Sequence, residues 1–587
     1  MSTSAVETAA NSIDITRYWE DKGPYDVDLK TTTSETPSRD ETPQDEDDDG
    51  YSSGLKLYLV ILSLCLAVLL VALGQTIIAP ALGAITGEYG SVKDIGWYGS
   101  SYLLTSTALQ PLYGKIYRIF DIKYAFLSAV AIFEAGSLVS AATPSSTVFI
   151  IGRAIAGMGS AGLFSGSIVI LSYTLPLRRR PLMFGMFGCM WGIASVAGPL
   201  LGGAFTDHLT WRWCFYINLP VGGVAMIVIF FFLNIARVNN PDNQSLLFRV
   251  LQLDLIGAAV LIPAIIMLLL ALQWGGAQYP WSDRRIIGLF SGAGAMILIF
   301  VGIEQYQQDK GLLPPRFFKD RNLLCAMLFA LFFGASFFPL IYYLSLYFQA
   351  IQGDSAVTAG IKLLPLLMSV VISSIISGAL ITATGYYNPP LGAGLLTILD
   401  LHTPFGLWFG YQVLCGLGVG VGFQAGVVVV QNVVSKDLVP QATSCVQFSL
   451  NLGGALFIAV AQTVFQNGLI KGLQQHAPRL DPALFIHSGA SQIRQVLAAV
   501  HQEGASDAVL MAYMEGLRQT YYISAGAAAV AFLAALGLQW RKIEKRDDAA
   551  GTRGHYENKR VCTPAAEFDT VFEGAGELRA AAKMRRV

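Results

Sequence analysis

Long apolar runs follow one another along the chain from residue 57 onwards, separated by short polar gaps. A helix needs about 20 apolar residues to cross the hydrocarbon core of a bilayer. Thirteen runs approach or exceed that length: 57–82, 96–117, 123–142, 147–173, 182–206, 215–235, 254–273, 286–304, 323–348, 359–383, 405–433, 445–467 and 519–540. The pattern predicts an all-α polytopic membrane protein.

A fourteenth apolar stretch, around 389–400, is shorter than the others. Its apolar part, Leu391 to Leu399, lies between Pro390 and Asp400. A helix of that length reaches only about 14 Å across a hydrocarbon core of about 30 Å. Losing one span would reverse every later span, so we expect a span truncated in this sequence. The predicted cause is a mis-joined exon in the gene model; a genuine broken or re-entrant helix, sheltered by neighbouring helices, is the alternative.

Lysine and arginine are concentrated in alternate gaps. They follow the second, fourth, sixth and eighth spans and the last one: Lys115, Arg118, Lys123, Arg178, Arg179, Arg180, Arg237, Arg249, Lys310, Arg316, Lys319, Arg321, Arg541, Lys542, Lys545 and Arg546. The pair Arg284 and Arg285 is the exception and is outnumbered. Basic gaps stay in the cytoplasm, so both termini are predicted to be cytoplasmic.

Composition argues against several other classes of protein. Apolar residues make up 53% of the chain and charged residues 13%, and a formal net charge of −1 gives no basic excess for nucleic acid. The seven cysteines form no C-x-x-C pair, and the six histidines fall in loops or in the C-terminal tail. We therefore expect no metal site, no cofactor and no enzymatic activity.

The two halves of the chain carry similar segments in the same order. Three pairs match: Gly157-Met158-Gly159 with Gly416-Leu417-Gly418, Arg153 with Gln412, and the stretch Gly114 to Asp121 with Gly378 to Gly385. Parallel repeats are typical of transporters whose substrate site lies between the halves at mid-membrane.

These observations divide the chain into five parts. The acidic tail 1–54 and the tail 546–587 are expected to be disordered, because they contain too little apolar surface to fold. Between them we predict an N-terminal six-helix bundle at 55–236 and a linker with two extra spans at 237–305. A C-terminal bundle follows at 306–545, with an outside loop at 468–518.

Several motifs resemble those of a known family. The stretch from Gly192 to Gly203, GIASVAGPLLGG, resembles the antiporter motif of the major facilitator superfamily, and Gly152 to Gly159 resembles its fourth-span arginine motif. The stretches Trp211 to Pro220 and Phe133 to Leu138 are similar to segments typical of the fourteen-span drug:proton antiporter branch, which includes fungal efflux pumps for toxins and secondary metabolites.

The resemblance implies two six-helix bundles plus two linker helices, alternating access, and a proton gradient as the energy source. Within the antiporter motif, glycines and a proline weaken one helix and predict a hinge. The hinge residues are Gly192, Gly198, Pro199, Gly202 and Gly203.

The chain departs from the family pattern at two places. The first-span motif of the family often has an acid where this chain has Gly74. The gating loop after the second span, with Gly114, usually has Asp and Gly where Arg118 and Asp121 stand. Proton coupling is therefore an expectation separate from transport.

Two charged residues, Glu134 and Arg153, lie well inside clear spans. A charge at mid-membrane costs several kcal/mol unless it is paired or hydrated, and so indicates function by default. We predict that this pair carries or gates the proton; a structural ion pair or hydrogen bond that ties helices together is the alternative. Asp254 and Lys362 lie near span ends, where snorkelling to the surface explains them.

Five glutamines offer polar points among many aromatic residues: Gln75, Gln110, Gln349, Gln424 and Gln447. A mostly apolar cavity with a few such groups suits small amphipathic organic molecules. The sequence thus predicts a monomeric, proton-coupled exporter of such molecules at the plasma membrane, or at a vacuolar or vesicle membrane. An importer of a nutrient or siderophore on the same fold and a non-transporting membrane sensor are the alternatives.

Overall fold

The protein is described here by a computed structural model. The described residues are 54–89, 94–176, 179–235, 246–276, 279–384, 403–423, 425–478, 480, 497 and 503–539. The predicted tails (apart from Gly54), the short stretch 389–400 and Gln424 lie outside them.

The first half of the chain forms eight helices, six of which are long. Their bounds are α1 Leu55–Thr76, α2 Ile78–Tyr89, α3 Ile95–Ile119, α4 Ile122–Ala141, α5 Ser146–Thr174, α6 Arg180–His208, α7 Trp213–Tyr216 and α8 Asn218–Phe232. The predicted spans 57–82 and 215–235 are each broken once, at Ile77 and Ile217.

The linker and the second half follow. The linker contains α9 Leu246–Leu251, α10 Leu255–Trp274 and α11 Arg284–Gln307. The second half contains α12 Pro315–Lys319, α13 Arg321–Ala350, α14 Ala356–Lys362, α15 Leu364–Thr384, α16 Phe405–Gly422, α17 Ala425–Val433, α18 Val439–His476 and α19 Ser506–Leu536. Since α18 and α19 run beyond their apolar parts, the predicted loop 468–518 is shorter than hydropathy indicated.

Twelve helical segments among the described residues are long and apolar enough to cross a membrane, which confirms the all-α polytopic class. The predicted span 96–117 is not among them, because α3 carries several serines and threonines and Gln110. It is nevertheless 25 residues long and packs along α5, from the pair Tyr102–Gly157 to the pair Tyr117–Gly166. Its polar side chains are covered by neighbouring helices, so hydropathy alone underestimates it.

Small residues bring helices of the first half into backbone contact. A side chain at Gly136 would overlap the backbone of Ala156, and one at Gly159 would overlap Phe133, so α4 and α5 cross closely in antiparallel order. A Cβ at Gly162 would lie 2.5 Å from Cβ of Ala129. The glycine run in the fourth predicted span therefore serves close helix packing, as expected where lipid gives no hydrophobic drive for association.

The internal repeat predicted from sequence is confirmed by matching contacts. In the first half, Nε of Arg153 donates to the carbonyl oxygen of Tyr98 (2.9 Å). In the second half, Nε2 of Gln412 donates to the carbonyl oxygen of Lys362 (3.1 Å). The first bond joins α5 to the start of its parallel neighbour α3. The second joins α16 to the last residue of α14, just before the parallel neighbour α15 begins. The two halves thus repeat the same local architecture.

The halves meet along two equivalent helix pairs, α3 with α18 and α6 with α15. A Cβ at Gly114 would lie 2.7 Å from Cβ of Ser444, and a Cβ at Gly378 would lie 2.5 Å from the carbonyl oxygen of Pro181. Gly114 and Gly378 are the residues that the sequence repeat aligns. Close approaches at the two interfaces are therefore related by the repeat.

Helix directions show which ends share a face of the bundle. Gly416 contacts Leu366 and Gly420 contacts Val370, so α15 and α16 run parallel. The end of α15 and the start of α16 therefore lie on opposite faces of the bundle. The start of α18 lies beside the end of α3, where Arg118 bonds Gln441.

We call the face at which α3 ends the basic face, because Lys115, Arg118 and Arg316 lie there. The last described residues also lie on it, since the backbone N–H of Gln539 donates to the side chain of Asn322 (3.0 Å), at the start of α13. The opposite end of the bundle is the outer face.

Candidate functional site

A small cavity lies between the two halves. Its lining comes from both: Val71, Gln75, Ser106, Gln110, Ser160, Phe164 and Trp191 from the first, and Phe337, Phe338, Phe423, Leu450 and Asn451 from the second. A mixture of aromatic side chains with a few amides and hydroxyls is typical of small-molecule sites.

The polar side chains of the cavity form a network across the interface. Nδ2 of Asn451 donates to Oε1 of Gln110 (2.6 Å), and Nε2 of Gln110 donates to Oγ of Ser165 (3.2 Å). On the same side, Oγ of Ser160 donates to Oγ of Ser106 (3.0 Å). The Asn451–Gln110 bond joins α18 to α3, so cargo that competes for these groups would also act on the contact between the halves.

The structure separates the five predicted glutamines. Gln75 and Gln110 line the cavity. Gln349 bonds Ser345 within α13, Gln447 is buried on α18 outside the cavity lining, and Gln424 lies outside the described residues.

Trp191 and Asn451 of the lining are not among the residues predicted from the sequence. Both lie within one helical turn of residues that were predicted, since Trp191 precedes Gly192 and Asn451 follows Gln447 by four residues. Helical spacing from those residues was the signal that could have found them.

The predicted hinge residues lie on α6 between two neighbours. On one side, side chains at Gly198 and Gly202 would overlap Thr76 and Ile77 of the α1–α2 junction. On the other side, a Cβ at Gly192 would lie 2.7 Å from Cγ2 of Val371 on α15.

The remaining hinge residues face α14: Gly203 approaches Val357, and Pro199 approaches Gly360. The helix is continuous from Arg180 to His208 through Pro199. The motif therefore allows α6 to lie close to helices of both halves at once.

Glu134 lies on α4 against α8, away from the cavity. It is 8% exposed, and neither carboxyl oxygen has a hydrogen-bond partner among the described residues. A side chain at Gly222 would overlap its carboxyl group. Four residues before Gly222, the Asn218 side chain donates to Oγ of Ser137 (3.1 Å), and its own Oδ1 is unsatisfied. A carboxyl so isolated is suited to holding a proton.

Arg153 lies on α5 and is 2% exposed. Besides its bond to Tyr98, its guanidinium lies over the ring of Tyr102, 4.5 Å from the centroid, and 5.8 Å from that of Phe215. No ion pair with Glu134 is present within the described part of the chain. The structure therefore does not bring the two predicted coupling residues together, and Arg153 binds the start of α3 instead.

The predicted gating residues lie on the basic face. Nη1 of Arg118 donates to Oε1 of Gln441 (2.9 Å), and its Nη2 lies 3.8 Å from a carboxylate oxygen of Asp437. With Gly114, Arg118 thus bridges the two halves at α3 and α18. Asp121 has a different position: its side chain accepts from the backbone N–H of Lys123 (3.0 Å) and caps α4.

Asp254 does not reach the surface, contrary to what was expected of a charged residue near a span end. Instead of snorkelling, it is 6% exposed and caps α10, accepting from the backbone N–H of Gly257 (2.9 Å). It also accepts from the N–H of Leu312 (3.0 Å), to which Glu304 of α11 is bonded as well (2.7 Å). Lys115 donates to the backbone carbonyl of Lys310. The linker pair is therefore fastened to α3 on the basic face.

Three side chains, Glu88, Trp211 and Arg212, form one hydrogen-bonded group on the outer face of the first half. Both terminal nitrogens of Arg212 donate to the Glu88 carboxylate (3.0 and 2.9 Å), and Nε1 of Trp211 donates to the same group (2.7 Å). The hydrogen bonds from Arg212 hold the pKa of Glu88 below its ordinary value, and Glu88 raises the pKa of Arg212.

We expect Glu88→Gln to lower the melting temperature at pH 7 by about 1–2 °C, since partly exposed ion pairs contribute little. Because the folded-state pKa of Glu88 is depressed, its contribution is present above the unfolded pKa and is lost as pH falls through the folded pKa. The two proteins should therefore converge in acid, and nanoscale fluorimetry across pH 3–8 measures this. A difference that persists at pH 3 would show that the ion pair is not its cause.

Comparison with known proteins places the chain in a family. Residues 64–401 match the family model of the Major Facilitator Superfamily. The chain is 45% identical over 510 residues to an "MFS-type efflux pump MFS1" of Arthroderma benhamiae, covering 85% of this chain and 94% of that protein. It is 44% identical over 503 residues to "Efflux pump aflT" of Aspergillus parasiticus, covering 84% and 97%.

A solved structure shares the fold. The proton:xylose symporter XylE, bound to a glucose derivative, aligns with a TM-score of 0.51 at 13% identity, covering 84% of this chain and 98% of the symporter. Together with the repeated halves and the cavity between them, these matches show that the chain belongs to the major facilitator superfamily.

Proposed function

We propose that this chain exports small amphipathic organic molecules through the cavity between its halves by alternating access. The observation that carries the proposal is that a cavity between the halves is lined from both repeats and crossed by the Gln110–Asn451 bond. Relative movement of the halves would open it to either side. The names of the fungal relatives, "MFS-type efflux pump" and "Efflux pump", support export as the direction. Family membership identifies a transporter rather than an enzyme.

A proton gradient is proposed as the energy source, with Glu134 as the protonatable group. The first-span position at which related transporters often carry an acid is Gly74 here, and Phe133 lies against it, 3.8 Å from where a Cβ would be. The adjacent residue on α4, Glu134, supplies a buried carboxyl in the same bundle. Protonation would make the side chain a hydrogen-bond donor. The unsatisfied Oδ1 of Asn218 lies four residues along α8 from Gly222, against which the carboxyl packs.

The basic face is proposed to lie in the cytoplasm, following the positive-inside rule. The start of α1 and Gln539, which bonds Asn322, both lie at the basic face. With this face in the cytoplasm, both termini are proposed to be cytoplasmic. A monomer in the plasma membrane, or in a vacuolar or vesicle membrane, is the proposed form.

Deleting the gene from its host tests the function. We expect the mycelium of the deletion strain to retain at least one small organic compound that the parent releases into the medium, measured by mass spectrometry of both fractions. Inside-out vesicles from the parent, but not from the deletion strain, should then take up that compound. A compound lost from both fractions would indicate an importer of a precursor instead. Unchanged export with altered gene expression would favour the sensor.

A further inference from the structure

We propose that the cavity takes uncharged aromatic molecules that carry a hydrogen-bond acceptor such as a ring carbonyl, and that the indole N–H of Trp191 donates to that acceptor. The inference rests on the proposed export function, because it names the class of cargo for the same cavity.

The described lining of the cavity is uncharged. None of the described residues that line the cavity is acidic or basic. The two charged side chains inside the first bundle face elsewhere, since Glu134 packs against Gly222 and Arg153 binds Tyr98 and Tyr102. An ionic group moved from water into this cavity would find no counter-ion, so charge on the cargo is disfavoured.

Aromatic rings from both halves line the cavity. Phe164 and Trp191 meet edge to face with centroids 6.5 Å apart, and across the cavity Phe337 contacts Phe338 and Phe423 in the same manner (5.6 and 6.1 Å). Rings from both halves thus offer surfaces to a flat apolar body. Ring faces also attract organic cations. No acidic residue is present in the described lining to stabilise a cation, so tight binding of a cation would contradict the proposal.

The indole of Trp191 holds a hydrogen-bond donor without a partner among the described residues. Nε1 of Trp191 is inaccessible to solvent and has no hydrogen-bond partner in the described chain. An indole nitrogen can only donate, so only an acceptor can satisfy it. The neighbouring amides of Gln110 and Asn451 are bonded to each other, and Ser160 is bonded to Ser106. The indole N–H of Trp191 is therefore a donor that an oxygen of the cargo can engage without breaking an existing hydrogen bond.

Trp191 also connects the cavity to α6 at the start of the antiporter motif. Oγ of Ser195 donates to the backbone carbonyl of Trp191 (2.9 Å), and the next residue, Gly192, is in contact range of Val371. Cargo bound at Trp191 would therefore act on the turn of α6 that contacts the other half.

Binding to the purified full chain in nanodiscs tests the proposal, with tritiated 9-fluorenone as the probe. Fluorene has the same shape without the carbonyl, and we expect it to compete about tenfold less well, which corresponds to about 1.4 kcal/mol. Fluorenone-2-carboxylate and tetraphenylphosphonium should compete still less. Trp191→Phe should remove the preference for fluorenone over fluorene, so that the two compounds compete equally. Trp281→Phe is the matched control, because Trp281 is 39% exposed and stacks on Phe290 outside the cavity.

Equal competition by fluorene and fluorenone on the unaltered protein overturns the proposal without reference to any variant. So does a preference for fluorenone that survives in Trp191→Phe, or tighter binding of either charged probe. Binding is measured without a gradient, so it is independent of export. Selective fluorenone binding by a protein whose deletion leaves every compound correctly exported would refute the proposed function and keep the assigned cargo class.

Discussion

Glu134→Gln is expected to abolish accumulation driven by a pH gradient while leaving cargo binding intact. For one proton exchanged per neutral cargo molecule, two pH units supply about 2.7 kcal/mol, or about 100-fold accumulation. Glutamine keeps the shape of the side chain and cannot take up or release the proton, so accumulation should fall to about onefold. The measurement is uptake of the compound retained by the deletion strain into inside-out vesicles with an acidic lumen.

Glu515→Gln is the matched control, since Glu515 is an acid on α19 of the other half, bonded within its helix to Gln519 (3.3 Å). It should accumulate cargo as the unaltered protein does. Exchange of labelled for unlabelled cargo at equal pH should continue in Glu134→Gln, because binding and alternation need no net proton movement. If the variant still concentrates cargo about 100-fold, Glu134 is a structural residue and the proton is carried elsewhere.

Much of the fold could be predicted from the sequence because lipid imposes a simple code. A span must be apolar and about 20 residues long, and basic gaps mark one side. The predicted span 96–117 matches α3, although its polar face, covered by α5 and α18, lowers its mean hydropathy. The predicted bounds were wrong at the ends of α18 and α19, which continue past their apolar parts. Hydropathy measures contact with lipid, and these segments are not solvated by lipid alone.

The site was less predictable, because its chemistry depends on which helices meet. The position of Arg153 within its span correctly indicated a buried residue, but its partner is a backbone carbonyl of α3 and not Glu134. Gln110 and Asn451 are separated by 341 positions in the chain. Only the pairing of α3 with α18, which the glycine at 114 permits, brings them together. Spacing along one helix cannot reveal such a contact.

The direction of the parallel pair α15–α16 bears on the short stretch 389–400, which itself lies outside the described residues. Because the end of α15 and the start of α16 lie on opposite faces, the intervening twenty residues, 385–404, connect the two faces. Reversal of all later helices, the consequence of simply losing one span, does not occur. Sequencing the transcript across the codons for Tyr387 to Gly392 separates the two explanations. About a dozen additional apolar codons would restore a full span. A transcript that matches this sequence, in a protein that still transports, would mean a genuine re-entrant or broken helix.

Gly114→Leu is expected to hold the basic face open and stop transport. The added side chain would meet Ser444, whose Cβ lies 2.7 Å from the position of the new Cβ, and the backbone of Gln441 at 3.1 Å. Overpacking of this kind costs about 1–3 kcal/mol, which would shift the population away from the closed basic face by about 5–150-fold. A cysteine placed at Ser160, in the cavity, should then react faster with an impermeant maleimide added from the basic side.

Gly288→Leu is the control for this change, because a Cβ at Gly288 on α11 meets nothing within 4 Å. It should transport and react with maleimide as the unaltered protein does. The repeat supplies a second test, since Gly378 occupies the equivalent position against Pro181. Gly378→Leu should reproduce the effect of Gly114→Leu, because both interfaces close the same face of the bundle. Normal transport by both leucine variants would mean that the face does not close at α3–α18 and α6–α15, and the alternating-access geometry proposed for this chain would be wrong.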